Sequence, residues 1–494
     1  MIIIIVSSIF FVDFSATVQK YIINLYLGVP NRLNNLKTPK IVCIIIEFVC
    51  KKVCSSILFC NFTARKKEYI MKKNLFRFIL ILAAIASAVT ACVRDKFQYS
   101  GYENQLEGYF PVDSIQKGHT WNLIKSCTNL VKGQVPNATK LMILADDPLT
   151  TTNVEVLTEV STSSNISRQV YYIAPEAQTT IYVAVLNADG MYLRLMKSSI
   201  SKETIELDSK VPTGVIHNIV PQEISYCYVA NYPNPGDSWD YNDVVLTMKK
   251  RKTSDTTIEV DVTLKAVGFL QQIGAAIRWV GKKYDDVIDM VERDEETNLM
   301  DDPDRTRLFF SGEWTDFQKS RSGEFVINLF DDAHAAIYQS PDGNVVRRYF
   351  NTMKENGSTS AKASAKTVTY IFTFNSEYDA RLFSLAEFDP FIIVRYGQSG
   401  SNFWEVHTYP YKLDEVLYPY YNGAAASYDN GFSWAVAIPY AKFRYPVEGM
   451  PIGELKKSIV AGAYQEKGHA FGEWILNEDD AQDWYLYPAD GGVY

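Results

Sequence analysis

TIEVDVTLK, residues 257–265, alternates without a fault: Ile258, Val260, Val262 and Leu264 fall on one face, Glu259, Asp261, Thr263 and Lys265 on the other. Successive side chains of a strand point to opposite sides, so the pattern predicts an antiparallel sheet with one buried and one wet face. The same signature spreads in both directions. Toward the C-terminus it recurs in FVINLF (325–330), TVTYIFTF (367–374), FIIVR (391–395) and FSWAVAI (432–438), and toward the N-terminus in KLMILA (140–145), NVEVL (153–157) and TIYVAVL (180–186). TIYVAVL leads into Asn187-Ala188-Asp189-Gly190 and then an apolar run from Met191 to Leu195; the Asp-Gly pair predicts a hairpin, because such turns need positive φ. No long amphipathic helix separates these runs, which argues against parallel βαβ units. The predicted fold class is all-β: two antiparallel β-sandwich domains, Ig-like or jelly-roll-like, with a few short helices near 452–475.

Composition agrees. The 494 residues are 47% hydrophobic and include 32 Tyr, 26 Phe and 8 Trp, far too much buriable surface for a disordered chain. A net charge of -8 excludes a typical nucleic-acid binder, which needs a basic face to neutralise phosphates.

The first ninety residues read differently. Residues 1–70 are rich in Ile, Phe, Lys and Cys, hold Cys43, Cys50, Cys54 and Cys60, and lack turn-punctuated strands. At Met71 a basic stretch, MKKNLFRF, is followed by an apolar run and then small residues before Cys92, the layout of a secretory signal. Val89-Thr90-Ala91-Cys92 resembles the lipobox of bacterial lipoproteins, which implies lipidation of Cys92. The expectation is that 1–70 is upstream sequence with no domain, 71–91 the signal peptide, 92–105 a polar tether, 106–208 a small β-sandwich and 209–494 a larger one. Residues 1–91 carry 12 Lys+Arg and 3 Asp+Glu, so the remainder holds 37 basic against 54 acidic residues, a net of -17. Cys127 and Cys227 are the other two cysteines of that remainder, too few for a disulfide scaffold.

The densest chemistry lies at NYPNPGDSWDYNDVV, residues 231–245, where Asp237, Asp240, Asn242 and Asp243 precede a β-run. Carboxylates and amide carbonyls packed this closely suit Ca²⁺, which takes 6–8 oxygens in irregular geometry. The loop is no EF-hand, since Met248 or Arg251 stands where a bidentate Glu belongs. Asx-turn capping of backbone N–H groups at a strand start uses the same residues and is an equal reading. Glu405 and His407 share a strand face, predicted as a wet one, and form a possible acid–base or metal pair. Trp404, Trp434, Trp474 and Trp484, with Tyr418, Tyr420 and Tyr421, are either core or a sugar-stacking platform. Cys-x-x-Cys in the mature part, His-Glu-x-x-His and phosphate-loop motifs are all missing, and Gly397-Gln398-Ser399-Gly400-Ser401 misses the nucleophile-elbow spacing by one place.

Gly236-Asp237 followed by Trp239-Asp240-Tyr241-Asn242-Asp243-Val244-Val245 resembles the opening motif of the LruC-type domain of bacterial lipoproteins. Further similarity follows in order: Val262 to Gly268, Glu405-Val406-His407, Phe432 to Pro439, Phe443 to Glu448, Phe471 to Trp474 and Asp483-Trp484-Tyr485. The chain departs from the pattern at Ser238, an extra residue in the opening motif. The resemblance covers roughly 220–494 and implies a cell-envelope, surface-exposed, non-catalytic domain. Together these readings predict a lipoprotein anchored at Cys92 in the outer membrane of a Gram-negative bacterium and facing outward. It would bind an extracellular glycan or protein, with Ca²⁺ as possible stabiliser and no nucleic acid. A fimbrial or pilus-like subunit, and a glycan-acting hydrolase with two carboxylates, are the alternatives.

Overall fold

The computed structural model describes residues 115–230, 239–297, 315–338, 340–396, 402–412, 414–418, 433–453 and 462–494. By internal contacts the chain divides into Met1–Gln98 and Tyr99–Tyr494, and every described residue lies in the second unit. The leader, Cys92, the tether, Asp237, Tyr420 and Tyr421 fall outside the described residues.

Eight strands build the first sandwich: β1 (Ile124–Gln134), β2 (Lys140–Leu144), β3 (Val154–Ser161), β4 (Asn165–Pro175), β5 (Thr180–Leu186), β6 (Tyr192–Ser199), β7 (Thr204–Glu206) and β8 (Ile219–Pro221). They form two sheets, ordered β4-β1-β7 and β6-β5-β2-β3-β8. Inward side chains such as Val131, Val170, Leu141, Ile143, Val183 and Val185 make its core. The β5–β6 hairpin turns at Asn187–Gly190, with Gly190 at φ +77° as the Asp-Gly signal requires. Pairing is mostly antiparallel, but β7 joins β1 and β8 joins β3 in parallel. The sheet of β3 is therefore completed by residues 219–221.

The second sandwich holds β9 (Glu223–Tyr228), β10 (Val244–Lys252), β11 (Thr257–Val267), β12 (Ile273–Lys283), β13 (Val291–Arg293), β14 (Phe317–Lys319), β15 (Glu324–Phe330), β16 (Tyr349–Phe350), β17 (Ser360–Ala361), β18 (Lys366–Thr373), β19 (Phe388–Tyr396), β20 (Asn402–Val406) and β21 (Ala435–Ile438). One sheet runs β13-β18-β11-β10-β9-β21 and the other β14-β15-β12-β19-β20. On β11 the alternation holds: Ile258, Val260, Val262 and Leu264 are buried against the second sheet. Its polar face carries Arg251–Asp261 and Arg251–Glu259 pairs and a Thr263–Thr367 hydrogen bond. Helices are few and short, Tyr284–Val287, Ala333–Ile337, Glu377–Leu382 and Phe471–Leu476. The Glu377–Leu382 helix is capped by Ser376, whose hydroxyl accepts from Asp379 N–H. The fold is all-β, as the alternation predicts.

Residues 115–123, ahead of β1, pack against the C-terminal part of the second sandwich. Gln116 N–H donates to Ile475 O, His119 Nε2 lies 2.9 Å from Trp474 O, and the Trp121 ring meets Trp474 edge-on at 5.6 Å. Trp404, Trp434, Trp474 and Trp484 are all buried, so packing, not an exposed platform, is the use of these rings. Cys227 sits in the core on β9 and Cys127 on β1, and neither forms a disulfide. Among the described residues no helix is long and apolar enough to cross a membrane.

Candidate functional site

The loop ahead of β10 makes a tight turn. Tyr241 takes φ +50° with its ring in the core and its hydroxyl donating to Ser433 O. This turn aims its polar neighbours at the segment 446–452, which closes over the loop. Ile452 N–H donates to Trp239 O and Asn242 Nδ2 to Pro446 O. Asp240, almost wholly buried, accepts from Gly449 N–H at 2.8 Å, and Asp243 accepts from Ala230 N–H. Backbone capping by Asp240 and Asp243 is therefore realised. Asn242 Oδ1 is pressed against Gly268, where a Cβ would stand 2.2 Å from that oxygen and 2.7 Å from the Asn242 carbonyl. Gly268 is thus required for the loop and the end of β11 to approach.

The structure adds a residue that the loop itself does not contain. Glu448 faces Asp240, its carboxylate accepting from Thr352 Oγ1 at 2.9 Å. Burial pushes Asp240 up to about 7, against hydrogen bonds from Gly449 and Asn242. Burial and then the Asp240 charge push Glu448 up to about 8. The Tyr349 hydroxyl is raised too, by burial and then by Glu448, Asp243 and Asp240. Burial and mutual repulsion thus disfavour both carboxylates being ionised together near neutral pH. Of the four predicted ligands, the described residues hold Asp240, Asn242 and Asp243 on one turn, and Asp243 is engaged with Ala230. Among the described residues no three His, Cys, Asp or Glu side chains converge as metal ligands do. Asp240 and Glu448 could supply two of the 6–8 oxygens that Ca²⁺ takes, and Asp237 lies outside the described residues.

A second cluster of charge lies in the other sheet. His407 and Glu405 come together as their spacing predicts, but in the interior, at 0% and 2% exposure, and not on a wet face. The reason is compensation. His407 Nδ1 lies 2.8 Å from Asp389 and Nε2 3.3 Å from Glu405; Arg278 binds Asp389 at 2.9 Å and Asp414 at 2.7 Å. Burial alone would push His407 down, but the Asp389 charge, its hydrogen bond and Glu405 outweigh that and hold the imidazole at about 9. Glu405 also accepts from the N–H groups of Val416, Leu417 and Tyr418, which fixes the segment after β20 against the sheet. Signals for Arg278 and Asp389 exist in the sequence: each interrupts an apolar run, AAIRWV and FDPFIIV. Nothing comparable marks Glu448, which reaches Asp240 across 208 residues that carry no periodic link.

Residues 256–485 match a family described as a domain of unknown function, DUF4842. That match covers β11 through the C-terminal helix and includes Glu448, Glu405 and His407, but begins after Asp240. No curated protein matches the chain. Among solved structures, the chain is similar to a candidate lipoprotein from Bacteroides ovatus at 14% identity and a TM-score of 0.41, over 72% of this chain and 99% of that one.

Proposed function

We propose that the protein is a lipid-anchored lipoprotein of the bacterial outer membrane, held by Cys92, whose two-sandwich body binds an extracellular glycan or protein without transforming it. The lipobox-like Val89–Cys92 supports the anchor. Several acyl chains, each buried CH₂ contributing about 0.8 kcal/mol, would hold the protein firmly. The observation that carries the non-catalytic reading is the fate of His407, Glu405 and Asp389. This set resembles a catalytic acid–base trio, yet it is closed in the core, with Glu405 engaged by three backbone N–H groups. A general base needs hydrogen-bond reach to a substrate proton, and this one has reach only to its own scaffold.

Ca²⁺ fits the same reading as a stabiliser. Bound between Asp240 and Glu448, with Asp237 and Asn242 close to Asp240 in sequence, it would neutralise the repelling carboxylates and tie the loop to segment 446–452. The experiment that tests the reading is binding of the purified chain to glycan arrays and matrix proteins, with calcium and with chelator. Saturable binding with the ligand recovered intact is expected; turnover of a glycan, or failure to bind any of them, would contradict it. Labelling with a radioactive fatty acid, lost in Cys92→Ala, checks the anchor.

A further inference from the structure

A cleft of about 340 Å³ opens between the outer face of the first sandwich and strands β10 and β11 of the second. Five cations line it: Lys140, Lys250, Arg251, Lys252 and Arg381, against the two carboxylates Glu159 and Asp255. In a chain with 57 Asp and Glu against 49 Lys and Arg, that local surplus runs opposite to the whole. Both carboxylates are already matched, Glu159 by Lys140 and Asp255 by Lys252, and Arg251 is held by Glu259 and Asp261. Lys250 and Arg381 are left. Among the described residues no carboxylate lies within ion-pair distance of either. The Lys250 ammonium donates to the Phe383 carbonyl, and Arg381 lies over the Tyr378 ring with its buried Nε–H unpartnered. Burial pushes Lys250 down to about 8, only partly opposed by Glu387. Met142, Val156, Ile219 and Val220 give the cleft an aliphatic wall on the side of the first sandwich, and none of its lining residues is aromatic.

From this geometry we infer that the cleft binds a small amphipathic anion, its charged head between Lys250 and Arg381 and its aliphatic body on Met142, Val156 and Ile219. The Lys250 ammonium has one carbonyl acceptor and the Arg381 Nε–H none, so an anionic head that accepts from both would add charge-assisted hydrogen bonds to those present. The volume is at the small end of ordinary ligand sites and matches a ligand of this kind. Aliphatic walls and missing aromatic rings disfavour a neutral sugar, which stacks on aromatic faces. The inference goes beyond the binding role proposed above, since its ligand is neither a glycan nor a protein, and it rests neither on the anchor nor on calcium.

The test is isothermal titration of the full chain in non-ionic detergent with hexyl sulfate, and in parallel with hexanoate, 1-hexanol and inorganic sulfate. Both hexyl sulfate and hexanoate should bind at least tenfold more tightly than hexanol or sulfate alone. The double variant Lys250→Met and Arg381→Met, which subtracts partition into micelles, should lose at least tenfold while melting as the parent does; Lys250→Arg should keep the affinity. Equal binding of hexanol and hexyl sulfate, or of parent and double variant, would overturn the inference. If array ligands bind parent and double variant alike while hexyl sulfate binds neither, the cleft proposal fails and the binding role stands. If hexyl sulfate binds as expected and no array ligand does, the cleft stands and the broader role falls.

Discussion

At Asp389, four carboxylates meet a guanidinium and an imidazolium; at Asp240, two carboxylates meet each other. Both clusters are held in the second sandwich and both rely on residues distant in sequence. In the first, Arg278 touches Glu324, Asp389 and Asp414, while His407 touches Asp389 and Glu405, so every charge has an opposite neighbour. In the second, Asp240 and Glu448 are relieved only by N–H and O–H donors. The difference teaches where to look for function in a β-sandwich. A compensated cluster rigidifies its surroundings, whereas an uncompensated one leaves room for a proton or a cation.

Breaking the compensated cluster should cost most. Asp389→Ala leaves Arg278 and His407 buried without their shared carboxylate, and urea unfolding should show a loss of about 3–5 kcal/mol. A loss below about 1 kcal/mol would show that the network is not compensated as described. Next comes Gly268→Ala. Its Cβ would collide with the Asn242 side chain and carbonyl, for an expected loss of about 1–3 kcal/mol by the same measurement.

The uncompensated cluster should respond in the opposite sense. Asp240→Asn in chelator removes the repulsion and should raise stability by about 1 kcal/mol, a Tm rise of about 2–4 °C. The pH dependence separates the two clusters further. The acid pair has folded values raised from 3.8 and 4.5 to about 7 and 8. Its contribution is complete below the unfolded values and is lost as pH rises through 7 and 8. His407 is raised from 6.5 to about 9, so its contribution is complete below 6.5 and is lost as pH rises through 9. Stability in chelator should therefore fall between pH 5 and 8 in the parent and fall less in Asp240→Asn with Glu448→Gln; both should share the His407 loss between pH 6.5 and 9. Smallest is the effect of Lys319→Ala, which breaks an ion pair to Asp285 that is 51% and 77% exposed, and should change stability by less than about 0.5 kcal/mol.

How much of this was legible depended on whether a signal was local. The strand Thr257–Val267 and the turn at Asn187–Gly190 could be read because alternation and Asp-Gly chemistry act within a few residues. Strand β12 carries no alternation, since Ile273–Trp279 is buried on both faces and reads as one apolar run broken only by Arg278. Strand β1 hides for the opposite reason: Lys125, Ser126, Thr128 and Asn129 dilute its apolar face. At the loop, Asp240, Asn242 and Asp243 announce polar chemistry, but its sign was undecided until Glu448 was seen opposite Asp240. Glu405 and His407 were legible as a pair and misread as wet, because the charges that let them be buried, Asp389 and Arg278, sit on other strands.

The proposal is that Asp240 and Glu448 take up a cation between them, on a body that binds and does not catalyse. Thermal unfolding of the full chain at pH 7, in chelator and then with excess calcium, tests the first half directly. The account expects a higher Tm with calcium in the parent and no change in Asp240→Asn or Glu448→Gln. A parent curve that calcium leaves in place, or a rise of the same size in both variants, would contradict it.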